Sequence, residues 1–241
     1  MKRLLIIQSR IQHYRIPIFD KLNEYLQNDY KFFVTGGSKN GNAFGDIKRD
    51  YIHGLSFNHF SKFHYWKGIL KKIKDLNPDV IITTASPRNI SLYLIIFYSY
   101  YKKIRLIGWS KINSKKNNSF KIYKKIFYNF FNEMIVYGHK SAGELKEIGY
   151  KGKFTIANNT IDTDFIENNE SKINEIIKKI IFKHKIKNKK IILFLGRLDS
   201  EKRPLDLNIF EEILSESKNN ILVFVGEGPE KKNLEDFKQS S

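Results

Sequence analysis

The junction at Gly196 constrains the fold of this chain most. The apolar run Ile191, Ile192, Leu193, Phe194 and Leu195 ends there, Arg197 follows, Asp199, Ser200 and Glu201 make a polar turn, and an apolar-periodic segment begins at Leu205. That order reads as strand, loop and helix, and the loop at a strand's carboxyl end is where an α/β sheet holds its ligands. Glycine lets the backbone approach a ligand closely, Arg197 presents a planar fork of donors, and Lys202 adds a point charge suited to phosphate oxygens. The chemistry these residues predict is binding of a diphosphate.

The same alternation runs through the rest of the chain. Lys2 to Gln8 reads as a buried strand, and Ile16, Phe19, Leu22 and Leu26 mark a helix over Ile16 to Leu26. Pro17 fits that helix's first turn, so the intervening loop delivers His13, Tyr14 and Arg15 to the end of the first strand. Further strands are predicted over 31–35, 80–84, 104–108, 133–137, 154–156 and 220–225, with an edge strand or hairpin over 51–60. Helices are predicted over 65–76, 89–101, 141–148, 171–184, 205–214 and 230–237. Residues 38–46, rich in Gly and Asn, read as a loop.

Gly196-Arg197-Leu198, with Glu201, Lys202 and Pro204 in register, resembles the G-R-L-x-x-E-K-x-P signature of glycosyltransferase family 4, in the donor half of a two-domain GT-B enzyme. Val225-Gly226-Glu227-Gly228-Pro229 matches that family's V-G-x-G-P turn, where glycine would permit a left-handed backbone near the nucleotide. His13 to Phe19 resembles the Y-R-x-P-x-F start of members that build bacterial surface polysaccharides, and Asn158 to Asp162, completed by Phe165, resembles the crossing between the two domains. The resemblance implies an α/β chain of GT-B type, with a Rossmann-like acceptor domain over 1–165 and a partial Rossmann-like nucleotide-sugar domain over 166–241. It implies transfer of a sugar, with retention and without metal or other cofactor, from a nucleotide-sugar donor to a polysaccharide or lipid-linked saccharide acceptor. Arg197 and Lys202 would stabilise charge on the departing diphosphate, and Gly196, Gly226, Glu227 and Gly228 would line the donor.

On the acceptor side the candidates are His13, Tyr14, Arg15, Ser86, Arg88 and Trp109, with solvated-loop readings open for His13, Arg15 and Arg88 and simple packing open for Trp109. Two features depart from the family. The loop after the first strand lacks its glycines, and Thr83-Thr84-Ala85-Ser86 stands where many members carry a histidine. The family's segment with two glutamates eight apart has no counterpart, since Glu227 and Glu235 have the spacing but straddle the glycine turn. A truncated enzyme is therefore expected, and the competing expectation is a non-catalytic remnant or a subunit that borrows its donor half from a partner.

Composition narrows the class. Without cysteine there is neither a disulfide framework nor a thiolate metal site, and His53, His59 and His64 lack ligand spacing and read as scattered surface residues. Leu4 to Ile7 is too short for a signal peptide's apolar region and Leu92 to Tyr101 too short for a membrane span, so a cytoplasmic chain, peripheral on the inner face of the membrane, is expected. The net charge of +18 suits phosphorylated or anionic-lipid partners, or reflects a composition rich in Lys, Asn and Ile. Lys111 to Phe131, where Lys115, Lys116, Lys121, Lys124 and Lys125 interleave with aromatic residues, reads as a membrane-surface helix or as a solvated helix packed on the sheet. Nucleic acid is not an expected partner, because no single-strand-binding motif or recognition helix accompanies the charge.

Overall fold

The computed structural model describes residues 1–38, 49–112, 118–206, 214, 217 and 219–240. Two compact units divide the chain, Met1–Asp164 and Phe165–Ser241. In the first, eight strands are β1 (Lys2–Arg10), β2 (Tyr30–Ser38), β3 (Ile52–Phe60), β4 (Phe63–Lys67), β5 (Val80–Thr84), β6 (Arg105–Ser110), β7 (Glu133–Val136) and β8 (Lys153–Ile156). They form one sheet in the order β4-β3-β2-β1-β5-β6-β7-β8. All pairings are parallel except the β3–β4 hairpin.

Both faces of this sheet are covered, which is why β1 is a continuous apolar run rather than an alternating one. Leu5 and Ile7 point into a core with Ile81, Leu92, Ile95 and Phe127. Leu4 and Ile6 point the other way, into a core with Ile16, Phe19, Phe32 and Val34. Helix α1 (Ile16–Leu26) begins at Pro17, whose missing N–H is not needed in a first turn. It buries Ile16 and Phe19, the latter contributing about 1.5–3 kcal/mol. Its Asp20 accepts from Arg49 at 2.8 Å and from the Tyr51 hydroxyl at 2.6 Å, tying α1 to the start of β3.

The helix predicted over 65–76 starts later, as α2 (Ile69–Leu76). Tyr65, Trp66 and Lys67 instead pair with Asn58, Phe57 and Ser56 of β3. Gly68, at φ 79°, turns the chain between the two elements. Trp66 satisfies the helical spacing, but it is buried beneath α3 (Ile90–Tyr101), and its backbone N–H donates to Ser91 Oγ at 3.0 Å. Likewise β6 runs on to Ser110, so Trp109 lies inside a strand rather than at its exit. Three further helices follow: α4 (Asn118–Asn129), α5 (His139–Ile148) and α6 (Thr163–Asn168).

The second unit holds α7 (Glu170–Lys183), β9 (Lys190–Leu195), β10 (Asn220–Val225) and α8 (Lys231–Ser240). Strands β9 and β10 pair in parallel from Lys190 opposite Asn220 to Leu195 opposite Val225. Among the described residues this sheet has two strands, and it leaves Leu193 and Leu195 exposed at 56% and 74%. The helix predicted over 205–214 and the loop over 38–46 fall almost wholly outside the described residues, as do Lys115 and Lys116.

Candidate functional site

At the carboxyl edge of the first sheet, strand register assembles a polar cluster. Thr84 of β5 pairs with Trp109 of β6, and Trp109 pairs with Ile135 of β7. Side chains alternate along a strand, so Tyr137, two residues past Ile135, falls on the same face as Trp109. Gln8 of β1 falls there too, one residue beyond the pairing of Ile7 with Thr83. Arg15 enters this face from a single 3₁₀ turn, His13–Arg15, that leads into α1. Its Nη1 donates to Gln8 Oε1 at 2.5 Å and its Nη2 to the Tyr137 hydroxyl at 2.7 Å. The guanidinium carbon sits 4.8 Å from the Trp109 ring centroid, and Trp109 stacks on Tyr137 at 6.0 Å.

Every partner just named for Arg15 is neutral. Gln8 Nε2 and Trp109 Nε1 are buried without a hydrogen-bond partner among the described residues. The cluster is therefore rich in donors and short of acceptors, which suits a ligand bearing hydroxyl, carboxylate or phosphate oxygens. Tyr14 lies beside Arg15 with its ring 5.9 Å from the guanidinium, and His13 packs edge-on to Tyr14 in the exposed part of the turn. Ser86 and Arg88 lie elsewhere on the same edge, in the β5–α3 loop, where the Arg88 carbonyl accepts from the His64 N–H at 3.1 Å. Sequence reasoning missed Gln8 and Tyr137. Their signal is their position, each at the end of a parallel strand on the face of Trp109.

In the second unit the two glycine motifs lock together through backbone atoms. The Gly196 N–H donates to the Val225 carbonyl at 3.0 Å, Leu198 N–H to the Glu227 carbonyl at 3.0 Å, and Glu230 N–H to the Leu198 carbonyl at 3.0 Å. A Cβ on Gly226 would meet the Gly196 oxygen at 1.8 Å, and one on Gly228 the Leu198 oxygen at 2.1 Å. Neither glycine has a φ in the left-handed region. The left-handed backbone expected at this turn is thus absent, and glycine is required for close approach instead. Leu198 and Pro204 are buried beneath the turn, while Arg197 points out, 65% exposed, and pairs with Asp199 at 3.1 Å and Glu201 at 3.0 Å. Asp199 Oδ1 accepts from the Lys202 N–H at 3.1 Å, and Glu227 pairs with Lys231 at 3.0 Å.

His59 is exposed at the surface, as expected, whereas His53 and His64 are half-buried. His59 and His64 face each other across β3 and β4 at 6.0 Å, both against Phe57. Burial pushes the imidazoles of His64 and His53 below their ordinary range, helped by the charges of His59 and Arg88 for the first and Lys72 for the second. Among the described residues no group of three or more His, Asp or Glu could hold a metal ion.

No family model matches the chain. A curated protein of Bacillus subtilis (strain 168) described as "Putative glycosyltransferase YtcC" is 25% identical over 189 residues, which cover 74% of this chain and 44% of that protein. Among solved structures, Anabaena Alr3699/HepE in complex with UDP and glucose superposes with a TM-score of 0.60 at 14% identity, covering 99% of this chain and 65% of that one. A glycosyltransferase from Rickettsia africae ESF-5 gives a TM-score of 0.61 at 14% identity over 92% of this chain and 68% of its own. The UDP-GlcNAc 2-epimerase of Methanocaldococcus jannaschii gives 0.58 at 15% identity, covering 99% and 69%. The chain therefore has an α/β fold of GT-B type with an incomplete second Rossmann-like unit, and it spans less than half of the curated relative's length.

Proposed function

We propose that this chain binds a nucleotide sugar through its second unit and belongs to a glycosyltransferase that moves the sugar to a saccharide or lipid-linked acceptor held by its first unit. One observation carries the donor half: Gly226 and Gly228 pack without room for a Cβ against the Gly196–Leu198 backbone, fixing the base of the turn that presents Arg197. Arg197 and Lys202 then meet the diphosphate and stabilise the charge that develops as it departs, the electrostatic role a metal plays elsewhere; retention at the anomeric carbon is part of the same proposal. Gly196, Gly226, Glu227 and Gly228 border that position. The relatives whose descriptions name UDP or UDP-sugars support this choice of donor.

On the acceptor side Arg15, Tyr14 and Trp109 form the binding edge together with Gln8 and Tyr137, and His13, Ser86 and Arg88 flank it. Domain roles follow, with acceptor recognition in residues 1–165 and donor recognition in 166–241. We place the protein in the cytoplasm, at the inner membrane face, with the lysines of α4 toward anionic lipid. A second reading has a partner completing the donor half, and the exposed Leu193 and Leu195 of the two-stranded sheet favour it.

Calorimetric titration of the full chain with UDP and a panel of UDP-sugars tests the donor site. Lys202→Ala is expected to weaken binding at least about tenfold, the scale of a lost charge-assisted contact. Undiminished binding by that variant would overturn the reading. Transfer by the purified chain alone would exclude the partner-completed one.

A further inference from the structure

The outward face of α3 and α4 is apolar where a soluble surface is normally charged. Phe97 and Tyr100 of α3 are 74% and 87% exposed, and Tyr101, Ile122, Ile126 and Phe130 extend the patch across α4 and the turn after it. The Tyr93 and Tyr123 hydroxyls bond to each other across the two helices, holding the faces side by side. A contiguous patch of this kind marks an interaction surface.

Between the two helices' carboxyl-terminal ends lies a groove of about 720 Å³, lined by Ile96, Phe97, Leu106 and Phe130 among others. Lys103 and Arg105 also line it. Ser99 lines it too, 2% exposed, and its Oγ has no hydrogen-bond partner among the described residues. The groove thus combines apolar walls, an unpartnered buried hydroxyl and two cationic side chains.

Charge decides the occupant. Neither α3 nor α4 contains an acidic residue, while Lys102, Lys103, Lys121 and Lys125 stand exposed around the patch. Glu133, which pairs with Arg105 at 2.6 Å, is the acid nearest in sequence after α4. A second copy docked symmetrically on this face would set lysines against lysines, because a two-fold interface brings the same patch together twice. An anionic bilayer complements the face instead. Tyrosines favour the headgroup level, apolar side chains enter the acyl region, and each lysine near the surface strengthens binding about fivefold.

We propose that α3 and α4 together form a docking face for an anionic lipid bilayer, with the groove between them taking the acyl chain of one phospholipid whose phosphate meets Lys103 and Arg105. The inference rests on the membrane part of the proposed function and is independent of its donor-site part.

Sedimentation of the full chain with large unilamellar vesicles tests it. Binding is expected to vesicles of phosphatidylglycerol and phosphatidylcholine, to fall with added salt, and to be at least about tenfold weaker on phosphatidylcholine alone. The double variant Phe97→Ser/Tyr100→Ser, at two exposed positions, is expected to keep the wild-type melting temperature and UDP affinity while losing at least about tenfold in vesicle affinity. Equal vesicle binding by the folded variant, or no binding of wild type to anionic vesicles, would overturn the proposal. So would a wild-type dimer, seen by light scattering, that the double variant converts to monomer with vesicle binding unchanged. UDP titration of the same samples separates failure here from failure of the donor-site reading.

Discussion

A Cβ placed on Gly226 would stand 1.8 Å from the carbonyl oxygen of Gly196, although thirty positions of sequence separate the two residues. Backbone meets backbone here, so no side-chain rotamer relieves the clash. Gly226→Ala is expected to lower unfolding free energy by about 1–3 kcal/mol and to weaken UDP binding together with it. Urea denaturation and calorimetric titration check both effects. The control is Gly143→Ala in α5, where a Cβ meets nothing within 4 Å; there a gain of about 0.5–1 kcal/mol is expected from helix propensity.

Arg15 links Gln8 of β1 to Tyr137 beyond β7 through two hydrogen bonds from one guanidinium. Arg15→Lys keeps the charge and loses the fork. It leaves Gln8, 4% exposed, with neither polar atom paired. A loss of about 1–3 kcal/mol in unfolding free energy is expected, with Tyr137→Phe costing about 1 kcal/mol. If the cluster also holds the acceptor, Arg15→Lys raises the acceptor KM more than it lowers kcat.

Arg197 pairs with Asp199 and Glu201 at the surface, and such pairs contribute little to stability. Glu201→Gln is therefore expected to change unfolding free energy by less than about 0.5 kcal/mol. Arg197→Lys, though conservative in charge, gives up bidentate contact with phosphate oxygens and is expected to weaken UDP binding about tenfold. Stability by urea denaturation and affinity by calorimetry should separate cleanly at this position.

Burial and neighbouring cations lower the proton affinity of His53 and His64 in the folded state. The unfolded chain then binds these protons more readily. Stability contributed at these sites is fully present above their ordinary value of 6.5 and declines as pH falls from there through the lower folded-state values. Melting temperature is expected to drop between pH 7.5 and pH 5.5, and His64→Gln should flatten that dependence. A melting temperature that stays level or rises on acidification would contradict the assignment.

The strands that fill the centre of the first sheet were legible because they are buried on both faces, and their apolar runs need no partner to be recognised. Val80–Thr84 and Ile16–Leu26 have the bounds that their patterns predict. The edge was harder to read. Trp66 lies at helical spacing from Ile69 and Ile73, yet pairing with Phe57 and burial under α3 put it in a strand. Local pattern could not weigh a contact with Ser91, twenty-five residues away.

By itself the sequence determined the βα alternation, the two glycine motifs and the residues able to meet a diphosphate, because each rests on neighbouring residues and short-range periodicity. Tertiary structure alone decided that the glycines of the second motif serve close approach to Gly196 and Leu198 rather than a left-handed turn. It alone brought Gln8, Arg15, Trp109 and Tyr137 to one face, since that convergence depends on the order β1-β5-β6-β7 and on parallel register. Strand order is set by how helices cover both faces of a sheet, a cooperative packing outcome that no window of sequence contains.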